Sequence, residues 1–223
     1  MINPSPERFL LFKQIPHAKA IITSEKFFTY DELRNKVLVI ASMLNENNIS
    51  PGSRIGIISK NNIDFVFIVL ALWQLSAVPV PINIRLTQSE IEEQLSSADC
   101  NVVLVDDESK EKLINTLRKK IIITFKDSFD KTFISRNEIK LNDPAVIIFT
   151  SGSSGMAKGV VLTFGSLFNS AINSNHVLRY NNSDRCLASL PFYHIGGFSL
   201  ITRSLLFGLP LLIPDSLSNE DIA

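Results

Sequence analysis

The sequence predicts an α/β protein built from mostly parallel sheet layers flanked by helices. Three observations predict it. Short apolar runs, among them Arg54 to Ser59, Val78 to Ile82 and Ala145 to Phe149, alternate along the chain with longer stretches at helical spacing. Two of those stretches open on a capping box, Thr29-Tyr-Asp-Glu32 and Thr87-Gln-Ser-Glu90. Turn residues such as Pro51-Gly52 and Gly208 separate the two kinds of run.

Taken in order, Ala20 to Thr23 and Phe27 to Thr29 read as a short hairpin around Ser24-Glu25-Lys26. Leu33, Val37, Ala41 and Leu44 then recur at helical spacing, so a helix runs from Thr29 to about Asn47, and Arg54 to Ser59 follows as a strand. Asn61 or Asn62 caps a helix to Leu75 that is apolar nearly all round and hence central. Val78 to Ile82 is a strand, Thr87 to Ser97 a helix, and Asn101 to Val105 a strand. Ser109 to Lys119 reads as a helix and Ile121 to Phe125 as a strand, before a polar surface excursion from Asp127 to Asp143. Ala145 to Phe149 is a buried strand, Thr163 to Leu178 a helix and Arg185 to Leu190 a strand. Ser199 to Phe207 is a helix stopped by Gly208, and Leu209 to Ile213 is a strand. Ser218-Asn-Glu-Asp221 looks like a helix start, and the chain ends before a further turn; the expectation is a truncated protein.

Composition narrows the function. Lys plus Arg and Asp plus Glu number 22 each, so no global basic field attracts nucleic acid. The two cysteines, Cys100 and Cys186, are too few for a disulfide framework and lack metal-ligand spacing, which favours buried thiols in a cytoplasmic protein. The apolar run from Phe65 to Ile82 is broken by Gln74, Ser76, Pro79 and Pro81, short of the roughly 20 residues that span a bilayer. The N-terminus lacks the order of a signal peptide.

The stretch with most to donate is Phe149-Thr-Ser-Gly-Ser-Ser-Gly-Met-Ala-Lys-Gly159. Its hydroxyls, glycine amides and Lys158 suit a polyphosphate. A Walker loop would need glycine at Ala157 and a hydroxyl residue after Lys158, and the serines between Gly152 and Gly155 break a dinucleotide fingerprint. A flexible surface loop is the bland alternative; the order of buried strand, hydroxyl-rich loop, lysine and renewed apolar run weighs against it. A second stretch, Leu190-Pro-Phe-Tyr-His-Ile-Gly-Gly197, sets His194 among loop-forming residues.

Phe149 to Val160 resembles the phosphate-binding signature of the adenylate-forming superfamily, which includes acyl-CoA synthetases, luciferases and peptide-synthetase adenylation domains. Ala157 stands where proline is usual, which loosens the loop without removing a donor. Leu190 to Gly197 resembles that superfamily's element beside the acyl pocket. Within it, Ile82 to Thr87 with Glu90, Leu190 to Ser199, and Arg203 are similar to the o-succinylbenzoate–CoA ligases of menaquinone synthesis. Gly196 replaces a residue that is often serine.

The resemblance implies a reaction in two halves: adenylation of a small-molecule carboxylate by ATP with Mg2+, then transfer of the acyl group to coenzyme A. It implies that Thr150, Ser151, Gly152, Ser153, Ser154, Gly155 and Lys158 bind the ATP phosphates. It places His194, Gly196, Gly197 and Arg203 at the acyl pocket, with the Arg203 guanidinium meeting a second carboxylate of the substrate. It likens residues 1–223 to part of an N-terminal AMP-binding domain: a first α/β portion to about 142, then a phosphate-loop and acyl-pocket portion from about 143. The family's catalytic lysine and C-terminal domain would lie beyond the chain, leaving it inactive alone. Another acyl- or aryl-CoA ligase, and a non-catalytic nucleotide-binding or interaction module, stand as alternatives.

Overall fold

The computed structural model describes residues 4–11, 14–106, 121–123, 136, 138–150 and 157–215. The helix expected over Ser109 to Lys119, most of the Asp127 to Asp143 excursion and the helix start at Ser218 lie outside the described residues.

The chain forms two largely parallel sheets and an antiparallel hairpin. Strands β1 (Lys19–Thr23) and β2 (Phe27–Thr29) are the predicted hairpin, and they share a sheet with β9 (Cys186–Leu187) and β10 (Leu211–Ile213) in the order β2-β1-β10-β9. Within it only the β1–β2 pair is antiparallel. The second sheet is parallel throughout: β3 (Arg54–Ile58), β4 (Val78–Pro81), β5 (Val102–Val105) and β6 (Ile121–Ile123), in the order β4-β3-β5-β6. β7 (Pro144–Thr150) and β8 (Lys158–Thr163) form the separate hairpin, β7 running close beside β4.

Helix α1 (Tyr30–Glu46) and helix α3 (Gln88–Ser97) begin at the two capping boxes read from the sequence. In each, the threonine hydroxyl accepts from the glutamate amide, and the glutamate carboxylate accepts from the threonine amide, at 2.8 Å for Thr29 and 2.7 Å for Thr87. These bonds hold both glutamates below the ordinary carboxylate range, Glu32 chiefly through the Thr29 amide and Glu90 chiefly through the Thr87 hydroxyl. The folded chain therefore takes up these protons less readily than the unfolded chain. The stability they contribute is complete above the unfolded glutamate value of about 4.3 and is lost as pH falls through the lowered folded values. Thermal midpoints measured across that acid window should decline, and T29V/T87V should decline less steeply; equal slopes would remove the boxes as the cause.

Helix α2 (Ile63–Gln74) is the centre of the molecule. Every residue from Phe65 to Gln74 is buried, which explains why its sequence carries no polar face. Trp73 packs edge-on against Phe9, Phe164 and Phe198, and its indole N–H donates to the Ala145 carbonyl at 2.8 Å. Phe9 belongs to a short 3-10 helix, Pro6–Leu10, that the sequence reading did not anticipate. Among the described residues no helix is long and apolar enough to cross a membrane.

β7 belongs to two cores at once. Ala145, Val146 and Ile148 join the main cluster around α2, whereas Ile147 and Phe149 join a second cluster between β3–β5 and α3. Burial on both faces accounts for its unbroken apolar run. The same placement delivers its carboxyl end, Thr150, from a rigid strand.

Candidate active site

The Thr150–Lys158 end of the hairpin is the first part of the candidate site. Thr150 and Lys158 are paired in register and both exposed, and the Thr150 hydroxyl donates to the Lys158 carbonyl at 3.5 Å. Both side chains thus stand at the mouth of the connecting loop. Ser151, Gly152, Ser153, Ser154 and Gly155 lie outside the described residues. Sequence reasoning saw renewed apolar character after Lys158 but not a strand. β8 escapes that reading because Val160 and Val161 are both substantially exposed, so no alternation marks it. Gly159 is fixed by packing: an added Cβ would lie 3.1 Å from Ile147 and 3.4 Å from the Phe149 ring across the ladder.

The second part is the loop that follows β9. Helix α4 (Phe164–Leu178) leaves β8 and packs on helix α5 (Ile195–Phe207), which begins four residues earlier than the sequence predicts. Gly196 and Gly197, expected to precede the helix, instead form its first turn. An added Cβ at Gly197 would lie 2.5 Å from the Leu190 carbonyl oxygen and closer still to that of Pro191. Glycine at this position therefore serves close approach of the loop to the helix. β9 stops at Leu187 rather than Leu190 because the chain turns there into this loop. His194 occupies the N-cap position of α5 with an exposed side chain, its ring 4.6 Å from that of Tyr193, and its amide donates to the Pro191 carbonyl.

Arg203 stands apart from His194. Nine residues of helix separate them by roughly 13 Å along the axis and about half a turn around it. Its guanidinium donates to the Ser199 hydroxyl at 3.0 Å, while its buried Nε has no hydrogen-bond partner among the described residues. Tyr180 and Cys186 face it. Burial raises both of their pKa values, Cys186 to about 11, and the Arg203 charge opposes the rise. Both cysteines are buried free thiols, as their number and spacing suggested.

Sequence reasoning missed Asn61 as a contributor. Its side chain donates to the Leu190 carbonyl at 2.7 Å and accepts from the Phe192 amide at 2.8 Å, joining the turn after β3 to the His194 loop. The signal was present: two asparagines open α2, and a helix needs only one as its cap. A polar groove of about 830 Å³ opens beside this junction, between Thr23, Lys26, Lys60, Asp64 and Asp215. Among the described residues no group of three or more His, Cys, Asp or Glu side chains could hold a metal ion.

The groove is lined by the carboxyl ends of strands from both largely parallel sheets, Thr23 of β1 and Ile213 of β10 with Lys60 just beyond β3. That is the usual place for a ligand in an open α/β fold, and comparison with known proteins assigns the fold to the AMP-binding, acyl-CoA-synthetase type. The chain belongs to the AMP-binding enzyme family, whose match runs over residues 12–222. It is 29% identical over 198 residues to a 2-succinylbenzoate–CoA ligase of Bacillus cereus and 28% identical over 201 residues to that of Bacillus cytotoxicus. Each match takes in 89% of this chain but 40% of the relative, so the chain spans about two fifths of their length.

Among solved structures, it superposes on O-succinylbenzoate Coenzyme A Synthetase (MenE) from Bacillus subtilis, in complex with ATP and magnesium ion, with a TM-score of 0.87. That match has 24% identity and covers 99% of this chain and 60% of the other. It superposes on apo MatB from Rhodopseudomonas palustris with a TM-score of 0.83 at 20% identity, over 97% of this chain and 46% of the other. At those identities the likeness is one of fold.

Proposed function

We propose that this chain is the N-terminal portion of an acid–thiol ligase that adenylates o-succinylbenzoate with ATP and passes the acyl group to coenzyme A, a step of menaquinone synthesis. The observation that carries the reading is the 28–29% identity to 2-succinylbenzoate–CoA ligases over nearly nine tenths of the chain. The donor set fits a polyphosphate: Lys158 and Thr150 are exposed side by side at the loop mouth, a cation and a hydroxyl with room to reach an anion. Ser151, Gly152, Ser153, Ser154 and Gly155 complete the proposed grip, and Mg2+ bound with ATP would supply further positive charge against the phosphates.

In the first half-reaction a carboxylate oxygen of the acid attacks the α-phosphorus and the bond to pyrophosphate breaks. Negative charge then accumulates on the departing β,γ-phosphates, where Lys158 lowers the barrier. In the second, the coenzyme A thiolate takes the acyl carbon and AMP leaves. His194, Gly196 and Gly197 border the acyl group. His194 is no general base, because the attacking carboxylate is already ionised. Arg203, with its unpartnered Nε and its orientation set by Ser199, is the proposed partner of the second carboxylate.

Isotopic pyrophosphate exchange by the full-length protein tests the reading. Exchange should depend on o-succinylbenzoate and be far weaker with benzoate, which lacks the second carboxylate. Equal exchange with both acids would point to a different acyl- or aryl-CoA ligase. ATP binding in calorimetry without exchange would point to a nucleotide-binding module.

A further inference from the structure

We infer that Asn61 is the positioning residue of the His194 loop and, through that loop, of the carboxylate substrate; the second part rests on the reading just proposed. A carboxamide presents a donor and an acceptor in one plane. Here the Nδ2 group donates to the Leu190 carbonyl at 2.7 Å and the Oδ1 atom accepts from the Phe192 amide at 2.8 Å. The partners fix the orientation of the amide, since a carbonyl can only accept and a backbone amide can only donate. Pro191, between the two contacts, has no N–H to donate, and its carbonyl accepts from the His194 amide, so the two Asn61 bonds and the His194 turn share one short segment.

The turn that carries Asn61 is itself held on both sides. Lys60 donates its amide to the Asp106 carboxylate at 3.0 Å, at the end of β5. Asn62 caps α2 by accepting from the Phe65 amide at 3.0 Å, and the Ser59 hydroxyl donates to the Asn62 oxygen at 3.3 Å. The capping task is therefore filled by Asn62, and the Asn61 side chain makes no bond within its own turn. It reaches instead across 129 and 131 residues of sequence.

What it grips is rigid on the far side. The Phe192 ring packs, tilted by 38°, at 5.2 Å from the Phe65 ring of α2, and Gly197 lets the first turn of α5 lie against the Leu190 and Pro191 carbonyls. Two carboxamide bonds thus join the carboxyl end of the second sheet to the segment that ends in exposed His194. Moving that segment would move His194, Gly196 and Gly197 together.

The test uses the full-length protein and Asn61→Ala. Exchange of the Phe192 amide with deuterium should quicken in the variant. In pyrophosphate exchange, the KM for o-succinylbenzoate should rise about tenfold while the KM for ATP stays within about twofold, as expected for losing two half-exposed hydrogen bonds at one substrate's pocket. Asn61→Asp keeps an acceptor for Phe192 but sets an acceptor against the Leu190 carbonyl. The Phe192 amide should therefore exchange faster than in the parent protein and slower than in Asn61→Ala, and this variant serves as the reading if the alanine variant does not fold. Unchanged Phe192 protection in either variant, or equal rises in both KM values, would overturn the inference. Should the parent protein show no carboxylate-dependent exchange, the proposed function fails on its own, and Phe192 protection still decides whether Asn61 positions the loop.

Discussion

Lys158→Ala in the full-length protein is expected to slow pyrophosphate exchange by about 100-fold, the scale of removing one donor from developing transition-state charge. Thioester formation from supplied acyl-adenylate should slow by no more than about threefold, because pyrophosphate has already left when that half begins. The asymmetry follows from where the side chain sits. Lys158 opens β8 opposite Thr150, exposed, on a hairpin whose β7 strand is wedged between two cores. A mobile cation on so rigid a base can follow charge onto the departing phosphates without rearrangement of the fold. Lys158→Arg should fall between the two, since it keeps the charge but offers a planar fork in place of a point charge. Rapid-quench measurement of each half-reaction separates the outcomes, and equal losses in both halves would sink the assignment.

The parts of this chain that were legible in its sequence are those whose causes are local. Thr29 with Glu32, and Thr87 with Glu90, announce helix starts because cap and carboxylate lie one turn apart. The run from Phe65 to Trp73 announces a central helix because nothing in it tolerates water. The illegible parts have causes far away in the chain. Val160 and Val161 become a strand only by pairing with Ile148 and Ile147. Asn61 becomes a clamp only because Leu190 and Phe192 are brought to it. Helix α5 starts early because Gly196 and Gly197 are placed by a loop that no periodicity reveals.

The same contrast shapes the candidate site. Lys158 and His194 stand out as candidates through motifs, which are local by construction. The partners that decide what Arg203 touches were not: Ser199 lies one helical turn away, but Tyr180 and Cys186 come from other elements. Recognising a guanidinium in sequence says what it can bind; its neighbours decide how it is aimed.

The two adjacent glycines of α5 should respond oppositely to the same substitution. At Gly197 an added methyl meets the backbone oxygens of Leu190 and Pro191, which belong to a loop held by Asn61 and by the Phe192 ring. Neither oxygen can rotate away. Gly197→Ala should therefore cost about 3 kcal/mol, the upper part of the usual overpacking range. It should also push the first turn of α5, with His194 at its N-cap, away from the Leu190–Pro191 segment, lowering pyrophosphate exchange along with stability. At Gly196 the added methyl meets only the Leu190 side-chain end, at 3.0 Å, and that side chain is half exposed and can swing clear. Alanine there also relieves up to about 1 kcal/mol of the helix cost of glycine. Gly196→Ala should consequently leave the thermal midpoint level or slightly raised. Chemical denaturation of both variants distinguishes the cases, and a matched loss at the two positions would mean that the loop yields rather than resists.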